Sequence, residues 1–164
     1  MHRLNTDEKE FLGILLNETP GSGVGVDCLS FRAQNFAKIQ LIERLESEGY
    51  IRKDQDQYFV SLTALAQLDD EKADRILQDA ERLFGELRQH YKTTQRAPIQ
   101  VDTLAERVGL DPLAAREALS YMVEGTWWGG RSTSFFSDPE PPRILRRLQL
   151  LRRWSHEETR KVLP

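Results

Sequence analysis

Few residues in this chain are spaced for covalent chemistry. The three histidines, His2, His90 and His156, lie far apart, and no two have a metal-ligand spacing. Cys28 is the only cysteine, so no intramolecular disulfide framework can form. Gly21, Gly23 and Gly25 invite comparison with a phosphate loop. They follow a helical pattern rather than a strand, however, and no Lys-Ser/Thr comes after them, so a connector is the better account. The acidic pairs Asp69-Asp70 and Glu157-Glu158 sit in polar helical surroundings and read as solvated charge. The expectation is a non-enzyme with no metal and no cofactor.

The chemistry that remains is recognition of a polyanion or of a protein surface. Duplex DNA needs donors aimed at base edges and cations placed on phosphates. Arg32, Gln34, Asn35 and Lys38 cluster at the start of one helical pattern, with Arg52 and Lys53 on the β signal that follows. Arg107, Arg116, Ser120 and Arg131 recur in a later segment, and Arg143, Arg146 and Arg147 lie towards the C-terminus. Acidic residues oppose them: Glu43, Glu46, Glu48, Asp54 and Asp56 in the first region and Glu117 in the second. Apolar candidates for a partner surface are Trp127, Trp128, Leu148, Leu151 and Trp154.

The net charge is −3, unlike that of a strongly basic polyanion binder. Its distribution is uneven. Residues 1–70 carry 7 Lys/Arg against 12 Asp/Glu, whereas Arg143 to Lys161 holds 7 against 2. Phosphate attraction should therefore centre on the C-terminal part. With 39 % hydrophobic and 30 % charged residues the composition is that of a soluble globular chain. No apolar run approaches the ~20 residues of a membrane-spanning helix. The N-terminus has no secretory pattern, so the expected location is cytoplasmic and no membrane partner is expected.

These residues must be positioned by elements that the pattern predicts. A helix opens at Asn5 or Thr6, either of which can cap it, and buries Phe11, Leu12, Leu15 and Leu16. Pro20 to Gly25 is a loop. Ala33 to Glu48 reads as one helix with Phe36, Ile39, Ile42 and Leu45 as its core stripe, ended by a left-handed Gly49. A hairpin follows, from Tyr50-Ile51 through a polar turn at Asp54 to Gln57 and back along Tyr58-Phe59-Val60. Residues 70–92 form a long helix with an a/d stripe of Ala73, Leu77, Ala80, Phe84, Leu87 and Tyr91. Burial within its own fold is the favoured use of that stripe, and a homodimer or partner contact through it is the alternative.

The second region reads more sharply. A short strand, Ala97 to Val101, precedes a helix capped by Asp102 and running Thr103 to Val108; Gly109 turns, Asp111 caps again, and Pro112 opens a helix that Gly125 ends. Leu104, Val108, Leu110, Ala118, Leu119 and Met122 supply its core. Trp127 to Phe136 reads as a hairpin with a turn at Gly129-Gly130. After the break at Asp138 to Pro142, a basic amphipathic helix begins near Arg143, with Ile144, Leu148 and Leu151 on its apolar side. That helix is a further candidate for partner contact.

Two segments carry a resemblance. Leu45-Glu46-Ser47-Glu48-Gly49-Tyr50-Ile51, with Tyr58 to Thr63, resembles the recognition helix and wing of bacterial winged-helix regulators. Leu104-Ala105-Glu106-Arg107-Val108-Gly109-Leu110-Asp111 is similar to the helix-turn-helix of many transcription regulators. Val26 to Phe31 is a poor match to the middle helix that the superfamily has. The resemblance implies a mainly α fold with small β-hairpin wings, built from two consecutive winged-helix units. The divisions are 1–69, 70–137 and a Pro-rich linker with the basic helix at 138–164. It implies a DNA-binding transcription regulator acting on double-stranded DNA. The alternative is a tandem winged-helix interaction or scaffold module in a larger assembly.

Overall fold

The computed structural model describes residues 3–21, 24–93, 99–122, 134–136 and 144–147. The described part is mainly helical, with small antiparallel sheets.

Helix α1, Thr6–Glu18, starts where two side chains satisfy its free amides. The Asn5 side chain accepts from the Glu8 backbone, and Glu8 Oε2 accepts from the Asn5 backbone, both at 2.9 Å. After the Gly21 loop comes strand β1, Val26–Asp27, and then helix α2, Cys28–Gln34. Asp27 caps α2 by accepting from Ser30 N at 2.8 Å. Phe31 anchors the helix inward, with its ring 5.7 Å from Phe11 and 6.2 Å from Tyr58. The segment that matched a middle helix poorly is therefore part of a real one.

The single helix expected from Ala33 to Glu48 is two. At Asn35 (φ −111, ψ 34) the backbone leaves the helix, and the Asn35 side-chain amide donates to Phe31 O at 2.9 Å. Asparagine competes with the helical ladder in this way. A 3-10 turn, Phe36–Lys38, leads into helix α3, Ile39–Ser47. The break turns Phe36 out of the expected core stripe: it is 77 % exposed, while Ile42 and Leu45 are fully buried.

Gly49 then stops α3 with φ 79, a conformation that a side chain would resist. Strands β2, Ile51–Asp54, and β3, Gln57–Val60, form the expected hairpin, with Ile51 opposite Val60. A short helix α4, Leu62–Leu65, follows, capped by Ser61. Helix α5, Glu71–Thr93, is started by Asp70, whose Oδ1 accepts from Lys72 N and Ala73 N. Its stripe of Ala73, Leu77, Ala80, Phe84 and Leu87 is at most 2 % exposed. The protein's own helices fill that seam, so no second chain can seat there without opening the core.

Strand β4, Ile99–Gln100, runs directly into helix α6, Val101–Val108. Gln100 occupies the cap position and makes no side-chain cap bond. Asp102 is thus not the expected cap; it lies inside the first turn and pairs with Arg116. Gly109 (φ 66) and Asp111, which accepts from Leu113 N at 2.8 Å, make the turn into helix α7, Pro112–Met122. Strands β5, Ser134–Phe136, and β6, Ile144–Arg147, complete the described chain.

The last two strands correct the expected C-terminal part. Ser134–Phe136 pairs with Ile144–Arg147, Phe136 opposite Ile144, and the turn expected at Gly129-Gly130 lies outside the described residues. The helix expected from about Arg143 is a strand over Ile144–Arg147, where it pairs with β4 as well as β5. Two open edges needing a partner outweigh the helical spacing of a four-residue segment. Trp127, Trp128, Arg131, Arg143, Leu148, Leu151 and Trp154 lie outside the described residues.

One order of elements runs twice: helix, strand, helix, helix, strand, strand. The sheets match too, β1-β3-β2 and β4-β6-β5, so in each the last strand lies between the other two. A continuous core links both sets, from Phe11, Leu15 and Tyr50 through Leu65 and Leu77 to Leu104 and Leu119.

Two glycines test this packing in opposite directions. A Cβ at Gly25 would meet the Phe59 ring and the Tyr58 carbonyl oxygen, both at 2.7 Å, whereas one at Gly13 in α1 meets nothing within 4 Å. Gly25→Ala should lower unfolding free energy in urea by about 1–3 kcal/mol. Gly13→Ala should raise it by about 0.5–1 kcal/mol.

Candidate functional site

The residues singled out in the second region converge on α7, and the surroundings of that helix decide what they can do. Ala115, Ala118 and Leu119 are fully buried on the side that packs against α5 and α6. The opposite side would be the reading face of a helix-turn-helix, and it is largely covered. Tyr121, 1 % exposed, meets Phe59 of β3 edge-on at 6.1 Å with an interplanar angle of 90°. One turn earlier the Glu117 carboxylate lies 3.3 Å from Arg75 and 4.0 Å from Lys72. Across from it is the first loop, where a Cβ on Gly21 would come within 3.5 Å of Glu117 Oε1. Lys72 also donates to Leu16 O and Thr19 O at the end of α1, each at 2.9 Å.

The expected contact residues on α7 are therefore spent inside the protein. Ser120 is buried and donates to Glu117 O at 2.6 Å. Arg116 is half-buried, its guanidinium 2.7 Å from Asp102 Oδ1. Only the tip of α7 is open, where Asp111, Pro112 and Leu113 are exposed. An acidic cap, a proline and a leucine are poor ligands for a phosphate backbone. Arg107 is exposed but engaged, 3.3 Å from both Glu86 and the Nδ1 of His90. Arg146 and Arg147 lie on β6.

The first region keeps its sequence-predicted residues closer together and engages half of them internally: Arg32, Asn35 and Arg52. Arg32 donates to Tyr58 Oη at 3.2 Å and to Glu43 at 2.7 Å. Those bonds hold the guanidinium more firmly protonated, while burial pushes the Tyr58 hydroxyl up. Arg44 pairs with Glu8, a carboxylate only 1 % exposed. The Asn35 amide is used in the helix break, and Arg52 stacks over Phe59 at 4.4 Å. Gln34, Lys38 and Lys53 are exposed; the Lys38 ammonium lies 5.1 Å above the Phe11 ring.

Sequence reasoning missed three features. Leu29 and Phe36 are exposed by 79 % and 77 %, and Phe59 links the two sets of elements. Only Asn35, a residue that favours helix breaks, signalled the exposure of Phe36. Cys28 is buried, and burial pushes its thiol up. Among the described residues no group of three or more His, Cys, Asp or Glu could hold a metal ion, and no helix is long and apolar enough to cross a membrane.

The Phe59–Tyr121 contact makes the cover over α7 measurable. A double-mutant cycle of Phe59→Leu and Tyr121→Leu, read by equilibrium unfolding, should give a coupling of about 0.5–1.5 kcal/mol. Strictly additive losses would mean that the rings do not meet in solution. A scan against protein-family models and searches of curated proteins and of solved structures found no match for this chain.

Proposed function

We propose that the chain is a tandem winged-helix interaction module, a non-enzymatic scaffold that engages protein surfaces and does not read DNA sequence. The winged-helix part of this reading rests on the twice-repeated order of elements, on the shared strand order, and on the glycine-ended helices before each wing or turn. Its units are residues 1–69 and 70–137, with 138–164 as an appended segment.

One observation carries the choice between protein and DNA: the outward side of α7 is covered by the first set of elements, where Tyr121 meets Phe59 and Glu117 faces the Gly21 loop. A recognition helix enters a major groove with that side free. Charge supports the same reading. Affinity for duplex grows with the number of phosphates neutralised, and among the described residues of the first region Arg3, Lys38 and Lys53 are the cations with neither a carboxylate partner nor a ring-stacked guanidinium. The exposed side chains Leu29 and Phe36 suit a protein surface better than a phosphate one.

Repeated selection from a randomised duplex library at about 0.15 M salt tests this directly. The expected result is no enriched sequence. Enrichment of one motif, lost in Lys38→Ala/Lys53→Ala or in Arg116→Ala, would establish the DNA-binding regulator instead.

A further inference from the structure

Among the described residues, Asp79 is a buried carboxylate that accepts no hydrogen bond. It lies within α5 at 9 % exposure, and the cation nearest to it is Arg82, one turn on, at 3.8 Å. A buried charge without a hydrogen bond or a close partner is costly. Burial therefore pushes the Asp79 carboxyl up, against the opposing pull of Arg82 and then Arg75. The elements packed on α5 bring no further charge to it. On α7, Glu117 turns to Arg75 at 3.3 Å, and on α6, Arg107 turns to Glu86 at 3.3 Å.

Arg82 has a second contact, and it lies on another element. While Nη1 faces Asp79, Nη2 donates to Val108 O, the carbonyl that ends α6. A cation on a terminal carbonyl satisfies an acceptor that the helix itself leaves open. The next residue is the left-handed Gly109 (φ 66), whose amide donates to Ala105 O and Glu106 O. The Leu110 amide follows onto Ala105 O at 2.9 Å. The guanidinium thus bridges the buried carboxylate and the α6–α7 turn. Its side chain is 51 % exposed, so water competes for it, and fixing it costs rotamer freedom. The charge on Asp79 shifts that balance.

We propose that Asp79 and Arg82 form a pH-sensitive latch on the α6–α7 turn: the ionised carboxylate holds the guanidinium on Val108 O, and its protonation frees it. Asp79 takes its proton more readily in the folded chain than in the unfolded one. Its ionisation therefore lowers global stability as pH rises from the ordinary aspartate range through the raised folded value. The same ionisation tightens the turn. Local and global effects run in opposite directions with pH, whereas a purely structural ion pair moves both together. The turn leads into Asp111, Pro112 and Leu113, the open tip of α7, so the latch sets how firmly that tip is held. The latch does not depend on what the chain binds.

Amide hydrogen exchange of the full chain by NMR, from acid to neutral pH and corrected for intrinsic rates, tests the latch beside the Asp79 carboxyl signal. The carboxyl should titrate above the ordinary aspartate range. As it takes its proton, the Gly109 and Leu110 amides should lose about two- to fivefold protection. Asp79→Asn, a neutral isostere, should show the lower protection already at neutral pH and no step. Its melting temperature should be no lower than the wild type's, because a buried charge has been removed. Arg82→Gln should abolish the step as well. A step that survives in Asp79→Asn overturns the proposal, as does protection that stays constant while Asp79 titrates. Asp79→Asn that loses protection and melts lower at neutral pH also overturns it, since the pair would then be structural alone.

Discussion

The cover over α7 is the constraint on which the rest of the structure depends. That helix is buried on one side by α5 and α6, and on the other by Phe59 and the Gly21 loop. A helix packed from both sides loses its freedom as a probe and becomes a structural strut. It also fixes the two sets of elements as one body with a continuous core. The side chains that could have discriminated bases, Arg116 and Ser120, close hydrogen bonds to Asp102 and to the α7 backbone. Placing them in a groove would first expose Tyr121 and part Lys72 from Leu16 O and Thr19 O at the end of α1.

The same economy governs the first set. Glu8 serves twice, closing the capping box of α1 and neutralising Arg44 on α3. Arg32 ties α2 to β3 through Tyr58 and to α3 through Glu43. These cations hold elements to one another, which accounts for a region rich in arginine and acidic residues that presents little net positive surface. What it does present is apolar, at Leu29 and Phe36. The inner and outer sides of α2 thus differ: Phe31 builds the fold, and Leu29 on the other side is exposed.

Local signals in the sequence translated well wherever neighbouring residues alone decide the geometry. The cap at Asn5, the left-handed Gly49 and Gly109, the β2–β3 hairpin and the apolar stripe of α5 are all of this kind. The misread segments are those in which tertiary partners decide. Periodicity ran through Asn35 because Phe36, Ile39 and Ile42 keep helical spacing, yet one side-chain amide on Phe31 O ends α2 and sends Phe36 outward. Asp102 has the chemistry of a cap, but β4 feeds straight into α6 and leaves it inside the first turn. Ile144–Arg147 has helical spacing and a basic character, yet it fills the space between β4 and β5. Ser120 and Tyr121 lie on the polar side of α7 by pattern. Nothing local to α7 indicates that Phe59, more than sixty residues earlier, packs over them.

Thiol accessibility along α7 probes this closure most directly, since the native Cys28 is buried and contributes little background. Leu113→Cys stands at the open tip of the helix and Ser120→Cys beneath the cover. With the cover in place, Leu113→Cys should react rapidly with a soluble thiol reagent. Ser120→Cys should react slower by orders of magnitude, at a rate set by transient opening of the fold. Comparable rates at both positions would mean that the outward side of α7 is open in solution and free to enter a groove.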